Sequence, residues 1–171
     1  ESDVIFIAVG TPSNNDGSAD LSNVFNVAEA IGNSICDNTI VVIKSTVPVG
    51  TTHKVERIIS EKISDRSESI SFDIVNNPEF LREGRAVLDF MSPDRIIIGS
   101  QKEETLKTME RLYHPFSMNR KKIINMDILS SEMTKYASNA MLASRISFMN
   151  EVSRICELVG ADVNQVRSGM G

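Results

Sequence analysis

Two short stretches hold residues whose types and spacing could do chemistry. The segment VNNPEFLREG, Val75 to Gly84, follows the apolar approach FDIV with two carboxylates, Glu79 and Glu83, and Pro78 fixes the chain ahead of the first. One carboxylate there could act as a base on a substrate or a water while the other holds a polar ligand group. On a helix, two like charges at this spacing repel modestly, so fold stability alone does not ask for the pair. The structural alternative makes Glu79 an acid at a helix amino end and Glu83 a solvated partner of Arg82 or Arg85. The second stretch is KYASN, in which Lys135 and Asn139 stand at i and i+4, on one face of a helix. An ordinary Lys/Asn pair of this kind is a solvated stripe. Here Tyr136, Ala137, Ala140 and Met141 predict a mostly buried turn, and a buried ammonium and amide need a partner that a developing oxyanion supplies.

The elements that must position these groups alternate. DVIFIAVG, TIVVIKSTV, SFDIVNN, DRIIIGS and KKIINMD are short, nearly continuous apolar runs, as in strands covered on both faces. Between them, DLSNVFNVAEAIGNSI, TTHKVERIISEKI and EETLKTMERLYHPF carry helical periods, and SDRSESIS reads as an exposed, mobile loop. The alternation predicts right-handed crossovers and a Rossmann-like, mostly parallel sheet over residues 1–127. From Ile128 the pattern changes, with no proline and no glycine until Gly160. That predicts a helix of about thirty residues, roughly 45 Å long at 1.5 Å per residue. Asp127 or Ser130 would cap its start and Gly160 would follow its end, with DVNQ opening a new helix at Asp162 by a capping box. Residues 128–171 are therefore expected to form a long central helix and the start of a further domain, bridging domains or subunits.

In an open α/β sheet, ligands bind beyond the carboxyl ends of the strands. Those ends read VGTPS (Val9, Gly10, Thr11, Pro12, Ser13), KSTVPVG (Lys44 to Gly50) and NNPEFLREG, with the long helix following the last strand. Loops rich in Gly, Thr, Ser and Pro present backbone N–H groups and hydroxyls that suit the phosphates and ribose of a dinucleotide. Singly, each is more often only a turn.

Composition narrows the classes. Hydrophobic residues make up 41% and charged residues 24%, the balance of a soluble globular chain. The net charge of −5 and the lack of a basic stripe argue against a nucleic-acid partner. No apolar run approaches the roughly 18 residues of a membrane span, and no signal peptide opens the sequence. Cys36 and Cys156 lack the spacing of a disulfide framework or a zinc site, which suits a reducing cytoplasm. Neither His53 nor His114 has a partner nearby in sequence, and no metal site is expected. The abrupt strand at the start and the short helix at the end read as a piece cut from a longer protein.

Together VGTP, IVVIKSTVPVGTT, NNPEFLREGRAVLDFMSPDRIIIG and SSEMTKYASNAMLASRISFMNEVSRICELVGADV resemble the UDP-glucose/GDP-mannose dehydrogenase family, over essentially the whole chain and in order. The long-helix text is most similar to the bacterial branch that acts on UDP-glucose. The resemblance implies a two-step, NAD-dependent oxidation of a nucleotide sugar's C6 alcohol to a carboxylate. The aldehyde is captured by a cysteine, and water hydrolyses the resulting thioester. It implies that Glu79 is the acid/base for the hydrolytic water, that Lys135 and Asn139 stabilise the oxyanions, and that Thr46 holds the water or a substrate oxygen. Glu79, Phe80, Leu81, Arg82 and Glu83 would line the UDP-sugar together with Lys135 and Asn139. NAD would meet Glu83, Val9, Gly10, Thr11, Pro12, Ser13, Ser45, Thr46 and Val47. A cytoplasmic homodimer joined through the long central helix is implied as well. The family's glycine-rich fingerprint and its cysteine segment have no counterpart here, and Cys156 sits in another motif, so the chain by itself is expected to be inactive. Two alternatives stay open: a sibling oxidising UDP-N-acetylmannosamine or GDP-mannose, and a non-catalytic α/β assembly module.

Overall fold

The computed structural model describes residues 2–66, 69–117 and 122–171. Eleven elements follow one another: β1 (Val4–Ile7), α1 (Ser22–Ser34), β2 (Thr39–Ile43), α2 (Thr51–Asp65), β3 (Phe72–Asn76), α3 (Ala86–Met91), β4 (Ile96–Gly99), α4 (Glu103–Ser117), β5 (Ile123–Met126), α5 (Ile128–Val159) and α6 (Val163–Met170). Residues up to Lys135 form one compact unit and Tyr136–Gly171 a second. Ser67 and Glu68 of the expected loop SDRSESIS, and Lys121 of the expected strand KKIINMD, lie outside the described residues.

In the first unit the five strands lie in the order β1-β2-β3-β4-β5. Three of the four pairings are parallel, but β4 meets β3 antiparallel, through Asn76 and Gly99. A fully parallel arrangement fails here for a physical reason. A parallel return needs a crossover that covers the sheet, whereas the β3–β4 connection holds only α3, six residues long and with none of them buried. α3 itself was not anticipated from the sequence. Register sets the consequence. Ile7 pairs with Ile43, Ile43 with Asn76, Asn76 with Gly99, and Gly99 with Met126. Each of these is the last residue of its strand, so all five carboxyl ends fall on one row although β4 and β5 reach it from the opposite direction.

Packing follows from the apolar periods. Val24, Ala28 and Ile31 of α1 and Val55, Ile59 and Ile63 of α2 close over Ile7, Val41, Ile43 and Ile74. The remaining apolar cluster joins Val42, Val75, Ile96 and Ile98 to Met109 and Tyr113 of α4. Each fully buried aliphatic side chain stabilises the fold by about 1.5–3 kcal/mol relative to exposure. A Cβ on Gly32 would lie 2.6 Å from Lys62 Cβ, so this glycine lets α1 and α2 approach closely. Gly99 does the same for the first turn of α5, since a Cβ there would lie 2.1 Å from Ser131 Oγ.

α5 begins as its sequence predicts. Asp127 Oδ1 accepts from Ser130 N at 2.9 Å, which satisfies one of the helix's unpaired amino-end groups. In the second unit, Gly160 follows α5 with φ of 75°, a conformation suited to glycine. Asp162 caps α6 by accepting from Asn164 N at 2.8 Å. Gln165 reaches only the Asp162 side chain, at 3.4 Å, so the expected reciprocal box is half made.

Candidate active site

The strand-end row puts the exits of β2 and β3 side by side. Asn77 N donates to Ile43 O at 2.9 Å, carrying the ladder one residue past the row. Pro78 follows, and the chain from Asn77 to Arg82 runs as a loop with a turn at Glu83–Arg85. The two glutamates are therefore not one helical turn apart. A proline preceded by a ladder-bound asparagine holds this stretch extended.

Glu79 collects three donors. Its Oε1 accepts from Lys135 Nζ at 2.9 Å and from Thr46 Oγ1 at 3.4 Å, and its Oε2 accepts from Leu81 N at 2.7 Å. The Lys135 side chain is 9% exposed and that of Glu79 29%, so the carboxylate faces the outside more than the ammonium does. Burial pushes the Glu79 carboxyl up, but the Leu81 amide, then Lys135, then Lys44 outweigh it and hold it below the ordinary glutamate range. Glu79 is thus an anion at neutral pH, able to accept a proton but holding none to give. The Phe80 ring lies 4.1 Å from the Arg95 guanidinium and 5.1 Å from Lys135 Nζ, which fixes the neighbouring loop residue by cation–π contact.

The loops that follow β1 and β2 are latched to each other. Ser45 Oγ accepts from Val9 N at 2.9 Å and donates to Val9 O at 2.7 Å, and Thr11 Oγ1 donates to Thr46 O at 2.9 Å. The hydroxyls of Ser45 and Thr11 are thereby engaged within the protein, and the Val47 side chain belongs to the core. These three residues can meet a ligand only through their backbone or a shared hydroxyl. Gly10, Pro12 and Ser13 are exposed, and no atom lies within 4 Å of where a Gly10 Cβ would stand.

Other predicted residues make no hydrogen bond to Glu79 among the described residues, and each is placed by its own unit. Glu83 is exposed in the turn, and the Arg82 guanidinium is taken by Asp89 of α3, at 2.9 Å from Nε and 2.6 Å from Nη2. The expectation of a mostly buried turn around Lys135 holds for Lys135 and fails beyond it. Tyr136 is 41% and Met141 62% exposed, and Asn139, in the second unit, is exposed too. The first turns of α5 are fixed by Ile128, Ser131, Glu132 and Lys135, all buried, whereas among the described residues from Tyr136 onward only Cys156 is buried.

Several residues that position the site were not singled out from sequence. Glu132, fully buried, accepts from Gly50 N at 2.6 Å, from Thr52 N at 2.8 Å and from Thr52 Oγ1 at 2.6 Å. A carboxylate from α5 thus caps the amino end of α2, where the unpaired amides and the helix dipole favour negative charge. Beside it, Ser131 Oγ donates to Asn76 Oδ1 at 2.7 Å. The other group is Lys44, whose Nζ donates to Asn77 Oδ1 at 3.2 Å, and Tyr113, whose hydroxyl donates to the same oxygen at 2.5 Å. The signal for Lys44 was a lysine directly ending a buried strand. Tyr113 gave none, since its partner is 36 residues away.

An open α/β sheet with its strand ends aligned, latched Gly/Thr/Ser loops on one side and a carboxylate–lysine pair on the other define a Rossmann-like dehydrogenase domain. Residues 1–117 match the model of the UDP-glucose/GDP-mannose dehydrogenase family, NAD binding domain, and residues 129–171 match that family's central domain. The chain belongs to the UDP-glucose/GDP-mannose dehydrogenase family. It is 49% identical over 171 residues to a UDP-glucose 6-dehydrogenase of Pseudomonas aeruginosa and 48% identical to one of Bacillus subtilis. In each case it spans the whole of this chain and 38% of the relative. Among solved structures, a UDP-glucose dehydrogenase from Pyrobaculum islandicum superposes with a TM-score of 0.87 at 40% identity, over 99% of this chain and 38% of that one. A GDP-mannose dehydrogenase of Pseudomonas aeruginosa gives 0.86 at 33% identity, over 98% and 38%.

Proposed function

We propose that this chain carries part of the NAD-binding site and the acid/base site of an enzyme that oxidises UDP-glucose to UDP-glucuronate in two NAD-dependent steps. The chain spans 38% of the length of the relatives it matches, so the reaction is that of the whole protein. The observation that supports the reading most is the meeting of Glu79, Lys135 and Thr46 at the exits of two adjacent strands and the start of α5. UDP-glucose is favoured over GDP-mannose because the relatives at 49% and 48% identity are named for it, against 33% for the GDP-mannose structure. We read residues 1–127 as the later half of the NAD-binding domain and 128–171 as the opening of the central one.

The loops fit NAD in one testable respect. Gly10 leaves open space at an exposed strand exit, and latching by Ser45 and Thr11 holds Val9–Ser13 against Ser45–Val47 in advance of any ligand. NAD, when bound, supplies the hydride acceptor. The chain's residues manage protons and charge. Glu79, an anion, takes the proton from a water as it attacks, while Thr46 donates to the same carboxylate and orients that water or a substrate oxygen. Lys135 offers its ammonium to the oxygen on which negative charge develops, joined in this role by Asn139. Phe80, Leu81, Arg82 and Glu83 line the sugar nucleotide, with Glu83 also reaching toward the cofactor.

Among the described residues no helix is long and apolar enough to cross a membrane. We place the protein in the cytoplasm as a homodimer joined through α5, a reading supported by apolar side chains exposed along that helix, among them Leu142, Ile146, Phe148 and Leu158. The reaction is tested by counting NADH formed per sugar nucleotide by the full-length protein. About two per UDP-glucose is expected, with little from GDP-mannose or UDP-N-acetylmannosamine. No turnover of UDP-glucose overturns the assignment.

A further inference from the structure

Glu79 is balanced by Lys135 in this structure, at 2.9 Å. In the proposed reaction Lys135 must turn to the oxygen that gains negative charge, and Glu79 must stay an anion while it does. A carboxylate stripped of its hydrogen-bonded counter-charge in a half-buried site drifts toward its protonated form unless another cation stands near. A further cation stands at the neighbouring exit. Lys44 follows β2 directly, and Thr46, two residues on, already touches Glu79. The Lys44 ammonium is seated by Asn77 Oδ1 at 3.2 Å. Asn77 itself is rigid: it is fully buried, its N donates to Ile43 O at 2.9 Å and its Nδ2 to Ile97 O at 2.7 Å. Tyr113 of α4 completes the seat by donating to the same Oδ1, with Lys44 Nζ 5.8 Å from its ring. Nothing in this arrangement neutralises Lys44, since an amide oxygen carries no charge. Lys44, Lys135 and Glu79 together therefore leave one positive charge in surplus.

We propose that Lys44 is a positioning residue for Glu79: its ammonium, fixed by Asn77 at the adjacent strand exit, keeps the carboxylate ionised when Lys135 leaves it for a reacting oxygen. The inference rests on the reading of Glu79 as the base. The charged and titratable groups that face Lys44 are Glu79 beyond β3, Lys135 on α5 and Tyr113 on α4. Burial, above all, pulls the Lys44 ammonium down to about 8, with Glu79 opposing and Lys135 adding to the shift. Burial pushes the Tyr113 phenol up to about 12, so it remains a neutral donor throughout. The counter-charge is accordingly present at neutral pH and withdrawn as the solution turns alkaline.

The test uses the full-length enzyme, with Lys44→Met and Lys44→Arg beside the wild type. Removing a nearby cation lifts a carboxylate by about one pH unit, so the acid limb of kcat is expected to move up by that much in Lys44→Met. Lys44→Arg, which keeps its charge at every accessible pH, is expected to hold the wild-type acid limb. An unmoved limb in Lys44→Met together with no Lys44-linked inflection of Glu79 in an NMR titration, or an equal rise in both variants, overturns the proposal. Should Lys44→Met fail to fold, carbon-13 NMR of the wild type decides the matter without it. A Glu79 carboxyl signal with a further inflection near the titration of Lys44 supports the coupling, and a Lys44 amine that titrates like a free lysine with no such inflection overturns it. The NMR titration needs no turnover. A coupling seen there beside an unchanged rate profile supports the Lys44–Glu79 pairing and tells instead against Glu79 as the base.

Discussion

At the scale of the residue, Glu79 is defined by the company it keeps. Thr46 and Lys135 reach the same carboxylate oxygen from two different elements, while Leu81 N holds the other oxygen still. Glu79→Gln in the full-length enzyme keeps the shape and removes the base, so kcat is expected to fall by about 10²–10⁴ with the sugar-nucleotide KM little changed. Lys135→Ala is expected to cost about 10²–10³ in kcat. Steady-state kinetics check both, and near-normal rates in either variant remove that residue from the mechanism. The same contacts set a pH dependence. A carboxyl held below its unfolded value contributes stability above that value, lost as pH falls through the folded one. Lys44 has the opposite sense: its buried ammonium opposes folding below about pH 8, and stability rises with pH from there toward the unfolded lysine value. Glu79 was legible in the sequence because it follows a buried strand, where a carboxylate has no packing role; Lys135 showed in its helical spacing from Asn139, and Thr46 came only with the family resemblance. The sequence marked Lys44 only as a lysine ending a buried strand and hid its seat, because an asparagine that bridges a lysine and a tyrosine across three elements leaves no local pattern.

At the scale of the element, the first two turns of α5 are held by a carboxylate that no ligand sees. Glu132 supplies the negative end that α2 lacks, for Gly50 has no side chain to cap with, and Ser131 ties the same turn to Asn76. Glu132→Ala leaves two amides and a hydroxyl buried without an acceptor, and is expected to destabilise the protein by about 3 kcal/mol. Gly99→Ala drives a methyl into Ser131 and is expected to cost about 1–3 kcal/mol. Urea unfolding monitored by circular dichroism measures both, and a change below about 0.5 kcal/mol in Glu132→Ala, the size of an ordinary surface substitution, would refute the capping role. The helical periods of α1, α2 and α4 were plain in the sequence because each buries one face. α3 was not, since its six residues bury nothing and so carry no stripe. The reversal of β4 was equally hidden, because a strand covered on both faces reads the same in either direction.

At the scale of the whole molecule, the second unit shows a helix whose apolar residues are displayed rather than packed. Leu158 is 87% exposed, and Ile146, Phe148 and Ile155 are more than half exposed within these residues. Apolar exposure along this helix supports the proposed assembly through it. Sedimentation of the full-length protein is expected to give a dimer, and Ile146→Glu with Phe148→Glu to shift it toward monomer. A wild type that sediments strictly as a monomer refutes the assembly. Sequence foretold the length of α5 from its missing helix breakers, but not which of its turns would be covered, since that depends on groups far from it in the chain.

The row formed by Ile7, Ile43, Asn76, Gly99 and Met126 also bears on how such a chain tolerates insertions and deletions. Loops at the far ends of β2 and β3, around Asp37 and Ile70, do not touch the row, and doubling their length costs only about 0.6 kcal/mol in closure entropy. One residue added inside β3 is another matter. It advances Asn77, Pro78 and Glu79 by about 3.3 Å and turns every following side chain to the opposite face. Length polymorphism is therefore expected to collect at the amino ends of the strands, while the count of residues between Phe72 and Glu79 stays fixed.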